Sequence, residues 1–325
     1  MSNTGNGNLG WSNDVWNQIK NAVQTEAAQT KVAAQFLPLC LCGADAMTVP
    51  AERVDEETMT VDPTAVTPLV EIWSPFSMTD QQVQKEQSLH TAVSLATRAT
   101  NLLSQAEDLL VFQGRDVVDT DRFRKLNIRY RGSVDRFKEI VGRGLLKAAS
   151  ESVTVKAVDA DKYGQNTVTA VSEAKSNLTE NAQNGPFALV LPTGPYADAY
   201  APLKDTLATP ADSIKALIAS ATDGGQTVAR FFGTGALPTN VDAETASTGV
   251  LVSLGGNTMD LVVANAPTVE YTGYDRDQAE HCFRVFETFA FRPKVDTAIV
   301  TLAFAKKAQM EAPQEAERAK SAKQS

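Results

Sequence analysis

Chemically reactive side chains are scarce in this sequence. It holds two histidines, His90 and His281, and three cysteines, two of them in Cys40-Leu41-Cys42. Three cysteines do not make a disulfide framework, and such sparing use fits a reduced cytoplasm. Glu86 and His90 stand four residues apart, whereas ferritin-like carboxylate sites use Glu-x-x-His. His281-Cys282 opens a strand-like run, where a structural role is the simpler reading. Cys40 and Cys42 lack the two further ligands of a closed zinc site. Gly233-Thr234-Gly235-Ala236-Leu237-Pro238 lacks the third glycine and the strand-to-helix setting of a dinucleotide loop, and no Lys-Ser/Thr follows a glycine-rich turn. Neither histidine stands in a Ser/His/Asp constellation. The expectation is a protein with no catalytic residues, no metal site and no cofactor, hence not an enzyme.

Long apolar runs are missing too. No stretch approaches the roughly 20 residues that span a bilayer. The start, MSNTGNGNLGW, has neither a basic nor an apolar signal region, so a cytoplasmic protein without membrane contact is expected. Basic residues are outnumbered, 30 Lys and Arg against 39 Asp and Glu, for a formal charge of −9, which argues against a general nucleic-acid binder.

What remains, 325 residues with 43% hydrophobic content, is enough for a sizeable core. Residues 1–11 are Gly/Asn-rich and expected to be flexible. Ser12-Asn13-Asp14 offers capping oxygens to a helix in which Val15, Trp16, Ile19, Val23 and Ala27 recur at helical spacing. Cys40 to Pro75 reads as a two-stranded excursion with too few apolar residues to bury itself. It carries the acidic run Glu52, Asp55, Glu56, Glu57, and an isolated hairpin of this kind needs another surface. Gln81 to Gln113 reads as one long helix with a stripe of Leu89, Val93, Ala96, Leu103, Ala106 and Leu110, ended by Gly114.

From Arg115 to Lys147 the composition turns basic, with Arg122, Arg124, Lys125, Arg129, Arg131, Arg136, Lys138 and Arg143 among Phe123, Tyr130 and Phe137. Such interleaving suits single-stranded nucleic acid, but a solvated or subunit-facing patch is the plainer reading. A helix follows over 164–181, then a buried strand Phe187–Leu191, then short helices at Tyr196–Leu203 and Ala211–Ala221. The last residues, 306–325, are polar and read as a disordered tail.

Gly249 to Phe304 alternates β-branched runs with turn residues and reads as four or five antiparallel strands. Gly255-Gly256-Asn257 looks like a hairpin turn between Val250–Leu254 and Met259–Ala264. In Phe283–Phe291, Phe283, Val285, Phe289 and Phe291 follow period two, with Glu287 as the interruption.

Taken in order, Gly185-Pro186-Phe187, Gly255-Gly256, Gly273-Tyr274-Asp275 and Glu287-Thr288-Phe289 resemble the encapsulins, bacterial and archaeal nanocompartment shell proteins also called linocin-type. The resemblance implies an α+β fold, the Hong Kong 97-type fold of tailed-phage major capsid proteins. It also implies an icosahedral homo-oligomer enclosing a cargo enzyme. In its terms residues 1–12 are a flexible start, 13–43 a lumen-side helix, and 44–75 an extended arm laid over a neighbour. Residues 76–186 are a peripheral domain with a basic insertion at 115–143, 187–248 an axial domain, 249–305 shared strands and 306–325 a tail. Cargo, such as a ferritin-like protein or a peroxidase carrying a C-terminal targeting peptide, would dock near the end of the first helix. The family pattern there has a Gly, two basic residues, two apolar residues and an Asp. Here Ala33-Ala34-Gln35-Phe36-Leu37-Pro38 has lost the charges, so a groove of Gln35, Phe36, Leu39 and Tyr271 is expected to take an apolar peptide. Glu52, Glu56 and Glu57 of the arm and Arg122, Arg124 and Lys125 are the candidate subunit interface. Two rivals stand beside this reading: a viral major capsid protein packaging nucleic acid, disfavoured by the short stretch ahead of the first helix, and a linocin-like peptidase, disfavoured by the missing nucleophile and base.

Overall fold

The computed structural model describes residues 9–159, 162–203, 207–221, 227–242 and 244–306; most of the expected flexible start, and all but the first residue of the expected tail, lie outside them. The first helix, α1 (Asn13–Thr30), starts where Ser12 Oγ accepts the Val15 N–H, and buries Val15, Trp16, Ile19, Val23 and Ala27 as the spacing required. Just before it, residues 9–11 depart from the expectation of flexibility. Trp11 donates Nε1–H to the Val83 carbonyl at 2.9 Å and stacks on Phe283 at 5.6 Å. A short strand, β1 (Leu39–Leu41), and a much longer one, β2 (Val70–Thr79), flank the arm. The expected helix over 81–113 is broken: short helices at Asp80–Gln84 and Glu86–Leu89 precede α2 (Thr91–Gln113). The buried Glu86 carboxylate accepts the Ala92 N–H at 2.8 Å, so a side chain caps a new helix there. His90, at φ +50, makes the turn.

Next come β3 (Arg129–Tyr130), α3 (Val134–Val141), β4 (Glu151–Val155), α4 (Gln165–Glu180) and the fully buried β5 (Phe187–Pro192). The two short helices fall at Thr193–Ala199 and α5 (Pro210–Ile218), each ending earlier than expected. Thr209 and Asp212 form a capping box with Pro210 in the first turn, which sets the start of α5. The chain ends in β6 (Arg230–Thr234), β7 (Thr245–Ser253), β8 (Met259–Asp275), β9 (Glu280–Pro293) and β10 (Ile299–Ala305).

The C-terminal strands do not form one antiparallel sheet. One five-stranded sheet has the order β1-β8-β9-β2-β3 and the other β6-β5-β7-β10-β4. Gly255-Gly256-Asn257 is therefore not a hairpin turn but the crossing from β7 in the second sheet to β8 in the first. Gly256 and Asn257 do take positive φ, as a tight turn needs. A Cβ on Gly255 would stand 2.7 Å from the carbonyl oxygens of Asn184 and Gly185, so the crossing packs on the loop before β5. The real hairpin joins β8 to β9 after Gly273-Tyr274-Asp275, where Asp275 Oδ1 accepts the N–H groups of Asp277 and Gln278. Leu69–Trp73, expected within the arm, is largely part of β2, whose ten residues pair along β9.

The main core lies between the first sheet and the helices α1 and α2, and includes Ile19, Val23, Ile72, Leu103, Phe112, Phe283 and Val285. A second core, with Val171, Leu178, Leu189, Ile214 and Leu302, lies under α4 and α5. The basic stretch contributes Phe123, Leu126, Ile128 and Phe137 to the main core, and Tyr130 stacks on Phe137 at 3.9 Å. Its aromatics thus face inward rather than serving as platforms for bases.

Gly114 and Gly144 touch backbone to backbone where α2 ends. A Cβ on Gly144 would lie 2.3 Å from the Gly114 nitrogen, whereas one on Gly142 meets nothing although its φ is +66. Gly144→Ala should therefore cost more than about 2 kcal/mol through overpacking against backbone. Gly142→Ala has room for its Cβ but must take φ +66 and ψ −149, a conformation that glycine alone enters readily, at a cost of about 1–3 kcal/mol. Chemical denaturation of the two variants checks both costs.

Candidate functional site

The end of α1 is fixed by a buried charge cluster. Lys31, which caps α1, ion-pairs through Nζ with both Glu107 of α2 and Glu287 of β9, all three almost wholly buried. Burial alone would lower the Lys31 pKa, but the two carboxylates more than reverse it, so the ammonium is kept. Glu287 is driven well above the usual carboxylate range, first by burial and then by Glu107. Glu287 is thus no interruption of the strand pattern: it points inward in phase with Phe283, Val285 and Phe289. Beside it, buried Asp108 accepts the backbone N–H groups of Val32 (3.0 Å) and Ala33 (2.9 Å). Burial pushes its pKa up to about 7 despite those donors. The expectations at sequence level missed this cluster; Lys31 at the helix end and a lone Glu in an inward strand register were the available signals.

The expected docking residues are not brought together. Phe36 is buried between Phe112 and Phe232, at ring separations of 6.3 and 5.8 Å. Gln35 is exposed, and Leu39 is 56% exposed on β1, the edge strand that pairs parallel with β8. Tyr271 lies far off: Leu39 is registered with Leu261, so Tyr271 is roughly 30 Å farther along β8 at the usual strand rise. Its hydroxyl meets His281 Nδ1 at 3.1 Å, and His281 Nε2 meets Asp80 at 2.8 Å. Phe36, Leu39 and Tyr271 therefore line no common groove, while Gln35, Leu39 and Leu41 are exposed.

The arm is a pair of small ladders, Thr48–Pro50 with Val66–Pro68 and Val54–Asp55 with Thr60–Val61. Met47, Met59, Val61 and Val66 stand exposed on it, Met47 and Met59 at 80% and 79%. Its base is clamped on its own chain. Glu52 reaches Lys294 at 2.7 Å and Arg292 at 3.5 Å, and both cations are buried around Asp260. The Lys294 hydrogen bond holds the Glu52 carboxyl below the usual carboxylate range. Glu56 accepts from Thr297 (2.7 Å) and Gln183 (3.1 Å). Glu57 is exposed, its N–H donated to Asp55. Of the basic candidates, Arg124 sits 3.9 Å from Asp121, and Arg122 and Lys125 are exposed with no ion pair among the described residues.

Among the described residues no group of three or more His, Cys, Asp and Glu is placed to hold a metal ion. Cys40 and Cys42 are half-buried free thiols against Val49, Leu69, Val262 and Ala290. No helix among them is long and apolar enough to cross a membrane.

No protein-family model matches the chain. Over 223 residues, 69% of this chain and 63% of the relative, it is 28% identical to the type 1 encapsulin shell protein EncA of Myxococcus xanthus. The match thus spans a little under two thirds of that relative's length. Among solved structures, the virus-like particle from Pyrococcus furiosus aligns over 88% of this chain and 98% of its own, with TM-score 0.59 and 17% identity. A chain of Gordonia phage Cozz aligns over 86% and 87%, with TM-score 0.51 and 14% identity. The holo-SrpI encapsulin complex from Synechococcus elongatus aligns over 83% and 86%, with TM-score 0.50 and 9% identity. The chain therefore has the α+β, Hong Kong 97-type fold that encapsulins and tailed-phage capsid proteins share.

Lys31→Met should cost about 3–5 kcal/mol, because it strands buried carboxylates. Lys31→Met with Glu107→Leu and Glu287→Leu should recover much of that loss in thermal unfolding. The raised Asp108 pKa adds a pH signature. Between about 4 and about 7 the folded chain keeps a proton that the unfolded chain releases, so this share of stability falls as pH rises. Asp108→Asn has no such loss, so its Tm should gain on the wild type across that window.

Proposed function

We propose that this chain is the shell subunit of an encapsulin-type nanocompartment. Many copies close into an icosahedral particle that encloses a cargo enzyme in the cytoplasm, and the chain's role is structural rather than catalytic. The observation that carries the reading is the arm. It projects exposed apolar side chains, Met47, Met59, Val61 and Val66, from ladders two and three residues long. Two-stranded ribbons of that size are not stable alone in water and need a neighbouring surface. A second copy supplies one, and repeated head-to-tail contacts of this kind close into a symmetric shell. The likeness to a type 1 encapsulin shell protein supports the same conclusion.

In this reading Glu57 at the arm's tip and the exposed Arg122, Arg124 and Lys125 face neighbouring subunits. Cargo, a ferritin-like protein or a peroxidase bearing a C-terminal targeting peptide, docks at the exposed edge of Gln35, Leu39 and Leu41. Burying two such leucines is worth roughly 1.5–3 kcal/mol each, modest alone but multiplied over many sites.

The purified protein should elute as a megadalton species and show hollow closed particles by negative-stain microscopy. A monomer or dimer at micromolar concentration and neutral pH contradicts the proposal, and a strong nucleic-acid absorbance at 260 nm that Arg122→Glu, Arg124→Glu and Lys125→Glu together abolish favours a viral capsid. Gln35→Asp with Leu39→Asp should leave particles well formed but empty of cargo; unchanged loading removes this edge from docking.

A further inference from the structure

We propose that Cys40 and Cys42 form a two-coordinate site for a soft monovalent metal ion, copper(I). The inference is independent of the shell reading and starts from how β1 is set into its sheet. This edge strand and the residue after it read Leu39-Cys40-Leu41-Cys42. Strand alternation puts the two leucines on one face and the two thiols on the other. Burial alone would turn the leucines inward, since they gain more from leaving water than cysteine does. The structure does the reverse. Leu39 and Leu41 are 56% and 79% exposed, whereas Cys40 and Cys42 are half-buried. A slip of one residue would exchange the faces, and the ladder is fixed against it. The Leu261 N–H donates to the Pro38 carbonyl at 2.9 Å, and the Cys42 N–H to the Val263 carbonyl at 3.1 Å.

The spacing suits a metal bridge better than a disulfide. Residues two apart on an extended strand stand about 6.6 Å from each other. That is near the upper limit of the Cα separation a disulfide spans, and its sulfurs must close to about 2.05 Å. A linear thiolate–metal–thiolate unit needs its sulfurs only about 4.6 Å apart, twice a metal–sulfur bond of about 2.3 Å. Two side chains leaning together from one strand face supply that. Both thiols are free. Among the described residues no third or fourth ligand joins them, which excludes a closed tetrahedral zinc centre. Of the ions that thiolates select, copper(I) is the one satisfied by two ligands in line.

The surroundings fit such an ion. The two thiols pack with Val49, Leu69, Val262 and Ala290, a small apolar patch under the base of the arm that limits the access of water. Cys40 is in register with Val262, and Val262 with Ala290; the next pair on the same face is Asp260 with Arg292. A guanidinium therefore shares the face with the thiols. Binding breaks two S–H bonds, forms two copper–sulfur bonds and releases two protons to water. Copper stays copper(I), so no oxidant or reductant enters. The bis-thiolate unit carries one net negative charge, and Arg292 is a cation on the face where that charge arises.

The test uses the full chain, reduced and kept from air, with copper(I) supplied as its complex with a chromophoric chelator. The wild type should withdraw one copper per chain. Cys40→Ser and Cys42→Ser should each weaken retention by more than about a hundredfold, since even a residue that only supports a metal ligand is worth about ten- to a hundredfold. Cys282→Ser should change nothing, because Cys282 is registered with Gly273, far along β8 from Val262. A second readout needs no variant. In the wild type copper(I) should protect Cys40 and Cys42, and not Cys282, from alkylation read by peptide mass spectrometry, whereas equimolar zinc(II) should protect neither. No copper withdrawn from the chelator, equal retention by the serine variants, or equal protection by zinc(II) overturns the site.

Discussion

The subunit depends on a cation it cannot expose. Lys31 is held between Glu107 and Glu287, partners 76 and 256 residues away in the chain. The three side chains belong to the end of α1, the last turns of α2 and the middle of β9. Apolar contact alone would tolerate a helix sliding along the sheet, since dispersion and water exclusion have little direction. A buried ammonium between two carboxylates does not tolerate it, because any slip leaves charge without a partner. Asp108 extends the constraint by one turn, holding the backbone of Val32 and Ala33. The point at which the chain emerges toward the exposed Leu39 and Leu41 is thereby set, and with it the edge proposed for cargo.

Local physics was legible in the sequence. The α1 stripe and the strand at Phe187–Leu191 follow from side-chain periodicity, which tertiary packing confirmed rather than altered. The capsid fold was legible as a resemblance, from turn and strand signatures in the right order. What periodicity does not carry is strand partnership. Gly255-Gly256-Asn257 does turn tightly, but whether a turn joins neighbours in one sheet or crosses to another depends on residues distant in sequence. The break at His90 was hidden for a related reason: Glu86 is a good helix former that here serves as a cap. Glu287 and the aromatics among the basic residues misled in opposite ways. Glu287 was read as an interruption of the apolar run although its side chain is buried in register with it, and Phe123 and Phe137 were set beside their charged neighbours when they belong to the core.

The candidate surfaces were legible only in part. The arm's inability to bury itself could be read from composition, and Met47, Met59, Val61 and Val66 bear it out. Which acidic residues remain free for a neighbour could not. Glu52 and Glu56, expected at an interface, are engaged with Arg292, Lys294, Thr297 and Gln183 of their own chain. Tyr271 was placed with Leu39 by family analogy, whereas the length of β8 keeps them apart.

The division that results is simple. The subunit has its own buried cores, while the arm carries apolar side chains that the subunit does not cover. That unburied surface is the physical reason to expect assembly, and its fate is the most direct test. A cryo-electron microscopy reconstruction of the purified protein would locate residues 44–69 against their surroundings. The account predicts Met47, Met59, Val61 and Val66 buried against an adjacent subunit of a closed particle. Finding them open to solvent in a closed particle, or covered only by their own chain, would contradict it.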